Sequence, residues 1–306
     1  MSSHAAVPEF EPLKAMVDEA VAQMAGAPDD AVVARLLDGA RRLVDAYMSR
    51  AMGRDAAAFL DTVWAIPALS GFGIEKAILG LLSVRVLQTL GDHEAAIARA
   101  IQSAAVATAT RGDGRGLGAP LLADLAQARA ASLEMLGRRE GARDAQAEAV
   151  ARRAGLLGRS DLPDQRPGLA SARNALGRLL IALEDHEAAI EELTTCIDEL
   201  HAFAEETEGR LPPMLFNTRA AACNRLGRAY IAAGRPLEAH PHLMTSVEAM
   251  RDLVNETRNI GLVEDFLTAL GDLEQAERAM GNDAVAANLA AEAARWRDHA
   301  RAAAKG

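Results

Sequence analysis

Five polar residues in two short stretches of this 306-residue chain have the types and spacing to do chemistry. Asn174 and Arg178 stand four apart, as do Asn224 and Arg228, and Arg225 follows Asn224 directly. A four-residue step puts both members of each pair on one face of a helix. A guanidinium fork beside an amide suits a carboxylate or the backbone of an extended peptide. Asn174 lies two residues from the apolar Leu176, roughly 200° around a helix, and so is expected to point away from the packing edge. Asn224 bears the same relation to Leu226. Ile181 and Ile231, further along the same two stretches, are candidates for an apolar floor.

Other groupings do not assemble a catalyst. No serine sits in a nucleophile elbow, and neither Cys196 nor Cys223 has an obvious histidine partner in sequence. Both cysteines are expected as buried free thiols. Glu191-Glu192 and Glu205-Glu206 are adjacent, so their carboxylates diverge around a helix. His240-Pro241-His242 sends its histidines to different faces, with no Cys, His or Asp set to complete a metal shell. The glycine-rich 111–118 stretch follows a helix and precedes Ala119-Pro120, so it lacks the strand and the Gly-Lys-Ser/Thr ending that a phosphate loop needs. The expectation is a non-catalytic protein with no cofactor and no metal.

What positions the arginines is a recurring register. Asp92-His93-Glu94-Ala95-Ala96-Ile97 returns as Asp185-His186-Glu187-Ala188-Ala189-Ile190, and the Leu176-Gly177-Arg178 run returns as Leu226-Gly227-Arg228. Gly91, Gly137, Glu184, Gly234 and Gly281 punctuate the chain at steps of 46, 47, 50 and 47 residues. A weaker copy begins at Gly53. Each unit reads as two short helices about a turn, the second carrying one apolar stripe, as in Ile190, Leu193, Ile197 and Leu200. Gly177 falls where a neighbouring helix could approach closely. Counted back from its turn, Arg85 occupies the place held by Arg178 and Arg228, while the unit between has Ala131. Such units need neighbours of their own kind to bury their stripes.

These residues resemble the tetratricopeptide repeat family in its long-helix form. Asn224–Ser246 fits best, with Leu226-Gly227, Tyr230, Gly234 at the turn, Ala239 and the small Ser246. Arg173–Cys196 fits nearly as well, with Ala189 and Cys196 in the small-residue places. The fit is weakest over 12–74 and 265–306. The resemblance implies an all-α, right-handed superhelical solenoid of about six antiparallel helix pairs, with an additional N-terminal helix. The unbroken register argues for one continuous body over 12–306, and residues 1–11, small and polar apart from Phe10, are expected as a disordered tail. The resemblance also implies that the first helix of each pair lines a concave groove. Arg85, Asn174, Arg178, Asn224, Arg225 and Arg228 would there hold a partner's extended or acidic segment, or a free C-terminal carboxylate, above Ile181 and Ile231. A scaffold or adaptor follows from the family. A peptide sensor that changes its pitch, and an enzyme with a site in the groove, are the alternatives.

Composition limits the partners. The chain is 50% hydrophobic but only 3% aromatic, so the core must be aliphatic and alanine-rich. A formal net charge of −10 opposes phosphate backbones, and aromatic platforms for bases are scarce. No nucleic-acid partner is expected. Met1–Glu11 has no basic region followed by an apolar run, and no window is long enough to span a bilayer. A cytoplasmic protein is expected, with self-association through an end face left open. Trp64 is read as an anchor near the N-terminal end and Trp296 as a closing residue near the other.

Overall fold

The computed structural model describes residues 10–26, 28–110, 116–159, 162, 164–257 and 260–303. Residues 1–9 of the expected tail and 111–115 of the glycine-rich connector lie outside them. Thirteen α-helices, and no strand, occur among the described residues. No helix there is long and apolar enough to cross a membrane. The chain falls into two compact units, 1–165 and 166–306.

The first unit holds α1 (Glu11–Gly26), α2 (Asp30–Ser49), α3 (Gly53–Trp64), α4 (Gly73–Thr89), α5 (His93–Ala109), α6 (Gly118–Met135) and α7 (Arg139–Ala154). A 3-10 turn at Pro67–Gly71 joins α3 to α4. The second unit holds α8 (Arg166–Ala182), α9 (His186–Glu206), α10 (Pro213–Ala232), α11 (Pro236–Thr257), α12 (Val263–Ala279) and α13 (Asp283–Ala303). α1 packs against α2, and from α2 onward the helices run as six consecutive packed pairs, α2/α3 through α12/α13.

The inter-helix turns follow from backbone sterics. Gly91, Gly137, Glu184, Gly234 and Gly281 all have φ between 61° and 81°. That left-handed residue lets the following N–H reach back to close the helix end. Asp92 N donates to Leu87 O at 2.9 Å, and Asp185 N to Leu180 O at 3.0 Å. Those two aspartates then cap the next helix, accepting from Ala95 N at 3.1 Å and Ala188 N at 3.4 Å. The recurring Asp-His-Glu-Ala-Ala-Ile run is therefore a capping signal as well as a packing one. In the N-terminal copy the left-handed residue is Ala51, not Gly53, and Met52 N makes the closing bond to Tyr47 O. Gly53 instead opens α3 against Leu90.

Close approach explains the glycines inside helices. A Cβ on Gly177 would sit 2.4 Å from Leu193 Cγ, and one on Gly227 would sit 2.4 Å from Leu243 Cγ. Leu193 and Leu243 are fully buried, so each pair is locked by one leucine seated on one glycine.

The cores are aliphatic, as the composition requires. In the first unit Leu36, Leu43, Leu60 and Leu69 gather with Val17 and Met24 of α1, and Phe10 packs edge-on to Tyr47 at 5.1 Å. Trp64 borders that cluster beneath the Arg99 guanidinium, 4.7 Å from its ring centre. A second cluster joins Ala77, Val84, Ala96, Ala100 and Leu125. In the second unit Leu243, Val247, Leu270 and Leu273 surround Phe266, and Trp296 closes them by an edge contact at 5.6 Å. Both tryptophans thus sit against cores.

Candidate functional site

The polar constellation assembles inside the second unit. α10 carries Ala221, Asn224, Arg225 and Arg228 at steps of three, one and three, which is one helical face. α8 brings Arg178 to that face, α11 brings Ser246 and Met250, and α12 brings Asp265, Thr268 and Ala269. Together they line a cavity of about 290 Å³. The first helices α8, α10 and α12 lie side by side here, and the second helix α11 closes the floor.

Arg225 is the centre of the arrangement. Its Nη1 donates to Asn174 Oδ1 of α8. Burial, followed by repulsion from Arg178 and then Arg228, pushes the Arg225 guanidinium down to about 10; Asp265 opposes the shift. Asn224 turns the other way, donating Nδ2 to Asp272 Oδ2 of α12 at 3.0 Å. Burial raises the Asp272 carboxyl above its ordinary value, against the opposing pull of Asn224 and Arg228. The two amides therefore position one cation and one anion.

Asn174 departs from the sequence expectation. It was expected to point away from the packing edge, yet it is 9% exposed. The periodicity of one helix locates its own apolar edge, whereas the next first helix, α10, packs over the polar side. Asn174 is thus a support for Arg225 and does not line the cavity. Ile181 and Ile231 are half-buried and lie outside the lining, Ile231 packing against the second unit's core. Met250, Ala221 and Ala269 supply the apolar wall instead.

Arg85 belongs to the first unit. On α4 it borders a separate cavity of about 220 Å³, whose walls are Leu37, Asp38 and Arg41 of α2 with Ile78 and Leu82 of α4. Asp38 pairs with Arg41 at 3.2 Å and with Arg42 at 3.6 Å.

Ser246, Asp265, Thr268 and Asp272 escaped the sequence reading. Asp272 stands 48 residues after its partner Asn224, close to one repeat step, and that offset could have flagged it. Ser246 was read only as a small packing residue. Its side chain is buried at 1% exposure, and its hydroxyl has no hydrogen-bond partner among the described residues.

The remaining candidates resolve into structural contacts. His240 Nε2 meets Glu277 Oε1 at 3.0 Å, and Asn282 Nδ2 donates to Glu277 Oε2 at 2.7 Å. His242 stacks on Tyr230 at 5.8 Å and 14°. The two histidines do go to different neighbours. No group of three or more His, Cys, Asp or Glu residues suited to a metal occurs among the described residues. Cys196 and Cys223 are both buried free thiols, and the Cys196 Sγ contacts Ala170 O at 3.4 Å.

Comparison with known proteins bears on the fold. Residues 170–199 match the family profile described as "Tetratricopeptide repeat". The crystal structure of BtubC (BKLC) from P. vanneervenii is similar, with a TM-score of 0.57 and 17% identity, over 94% of this chain and 91% of that one. The TPR-like repeats of a putative kinesin light chain from Podosopora anserina are also similar, with a TM-score of 0.51 and 22% identity, over 71% of this chain and 93% of that one. No curated protein matches. At such identities the solved structures speak for the helical-pair architecture alone.

Proposed function

Taking the chain as a member of the tetratricopeptide repeat family, we propose that it is a non-catalytic scaffold that holds an extended, acidic segment of a partner protein. Repeats of this kind generally bind proteins or peptides. The observation that carries the finer reading is the meeting of Arg178, Arg225 and Arg228 at one cavity in a chain of net charge −10. Three guanidiniums close enough to depress one of them form a local positive site against a negative background. An acidic segment relieves that repulsion, and a pre-formed site keeps the ordering cost of binding low. The protein itself is read as cytoplasmic.

A pull-down tests it. Wild type is compared with an Arg178→Glu/Arg228→Glu variant, whose two changes are at exposed positions and leave the core untouched. The variant should lose the partners that wild type recovers. Recovery of the same partners by both would remove the cavity from the binding surface.

A further inference from the structure

The closing bonds of the inter-helix turns put one residue of each first helix in the same place. Arg138 N donates to Leu133 O at 2.9 Å, Arg235 N to Tyr230 O at 2.8 Å and Asn282 N to Glu277 O at 2.9 Å, as Asp92 N does to Leu87 O and Asp185 N to Leu180 O. Leu87, Leu133, Leu180 and Tyr230 are apolar or aromatic, whereas Glu277 is a carboxylic side chain only 4% exposed. Six residues past its own turn residue, α11 sets His240 where α5 and α9 carry Ile97 and Ile190. His240 Nε2 meets Glu277 Oε1 at 3.0 Å, and Asn282 Nδ2 donates to Oε2 at 2.7 Å. At the junction of α11 with α12, a polar pair thus stands in places that earlier repeats give to aliphatic residues.

We propose that α12 and α13 form a movable wall of the second unit's cavity, latched to α11 by His240, Glu277 and Asn282. A buried carboxyl gives up its hydration when the junction closes and regains it when the junction parts, so a polar pair resists opening less than packed aliphatic side chains do. His240 and Asn282 already reach solvent, and water can take over their bonds as the wall moves. Two further polar ties join the same helices to their neighbours: Asn224 to Asp272 at 3.0 Å, and Arg251 to Glu292 at 3.1 Å. Phe266, Leu270 and Leu273 pack with Leu243 and Val247 of α11, which makes the closed junction the resting state. α12 contributes Asp265, Thr268 and Ala269 to the cavity, so parting at α11 widens it while Arg225 and Arg228 stay on α10. The device does not depend on what the cavity holds.

Hydrogen exchange of the full chain, read by mass spectrometry, tests the latch. Wild type is compared with His240→Ile/Glu277→Leu, which installs the aliphatic residues that Ile97 and Leu133 supply at the equivalent places in the first unit. Amides of α12 and α13 should exchange about tenfold more slowly in the variant, because packed hydrophobic groups hold such a junction more tightly than a buried polar pair. Those of α2 to α7 should be unchanged and serve as the internal reference. Unchanged or faster exchange in α12 and α13 would show that the polar pair is only structural, and would overturn the inference. Should the variant fail to fold, wild type decides alone. Its α12 and α13 amides should respond to urea less steeply than those of α9 and α10, since a local opening exposes less surface than unfolding of the unit. One common rate and one common urea slope across α8 to α13 would mean that the wall parts only when the unit unfolds, and the proposal would fall.

Discussion

Arg225 reaches from α10 to the side-chain oxygen of Asn174 on α8, a residue 51 positions earlier in the chain. The contact binds successive repeats through their polar sides, where solvent would ordinarily be expected. It also makes Asn174 answerable for a guanidinium that burial and two like charges already disfavour. Asn174→Ala should therefore destabilise the protein by about 1 kcal/mol, because it strands a half-buried charged donor. Asn174→Asp should do the reverse, adding a compensating charge that raises the unfolding midpoint in urea. The same substitution should weaken binding of an acidic peptide, measured with labelled hexaglutamate as the probe, since it cancels the local positive excess. A midpoint that falls equally in both variants would show that the amide acts through shape alone.

Gly227 and Leu243 make the sharpest steric prediction. A methyl on Gly227 would lie 2.4 Å from Leu243 Cγ, a branched carbon of a fully buried side chain with no freedom to retreat. Overpacking of this kind costs about 1–3 kcal/mol, offset by the roughly 1 kcal/mol that alanine gains over glycine inside a helix. Gly227→Ala should thus lower stability by a net of about 1 kcal/mol. Leu243→Ala alone should cost about 2–5 kcal/mol by opening a cavity. The double variant should be clearly more stable than the sum of the two losses implies, because each change makes room for the other. Additive losses by chemical denaturation would mean that the leucine does not rest on the glycine.

How far the fold could be read in advance depended on how local its cause was. The turn positions were legible because a left-handed backbone selects glycine, and Gly91, Gly137, Gly234 and Gly281 stand at such turns. The recurring run that begins at Asp92 and Asp185 was legible as a repeat, while its capping role, a contact of three residues' span, was not read from it. The first turn was placed two residues late because Ala51 adopts the strained conformation itself while Gly53 serves packing. The site was legible only within each helix. Sequence spacing put Asn224 and Arg228 on one face, but the partners Asp272 and Asn174 come from neighbouring first helices. The fate of Ser246 depended on α10 and α12 leaving a cavity over it, which no period in α11 encodes.

Glu184 occupies a backbone conformation that its repeat-mates give to glycine. Its φ of 61° matches the 72–81° of Gly91, Gly137, Gly234 and Gly281 within the spread of such turns. A side chain in that region costs about 1 kcal/mol, which glycine avoids. Glu184→Gly should accordingly raise stability by about 0.5–1 kcal/mol, read as a shift of the thermal midpoint. Gly234→Ala should lower it by a similar amount. If Glu184→Gly is destabilising, the carboxylate must be doing something in the turn that outweighs its backbone strain.

The two thiols set a falsifiable response to alkaline pH. Burial, reinforced for Cys196 by the charge of Glu199, pushes Cys196 up to about 12, and burial pushes Cys223 up to about 11, from an ordinary thiol value of 9.0. Between pH 9 and 11 the unfolded chain releases both protons while the native chain keeps them. The native state then binds more protons, so stability falls as pH rises through that window. Arg225 acts in the opposite sense, because its native value of about 10 lies below its ordinary 12.5, but its contribution begins only where pH approaches 10. From pH 9 to 10 the cysteines should therefore cost on the order of 1–2 kcal/mol. Urea titrations of wild type and Cys196→Ala/Cys223→Ala across that interval should show a slope in the first that is absent from the second. Iodoacetamide at pH 8 should label neither thiol in the native protein, and both should become reactive in denaturant. Equal pH slopes in the two proteins, or rapid labelling of the native chain, would place these cysteines in contact with solvent.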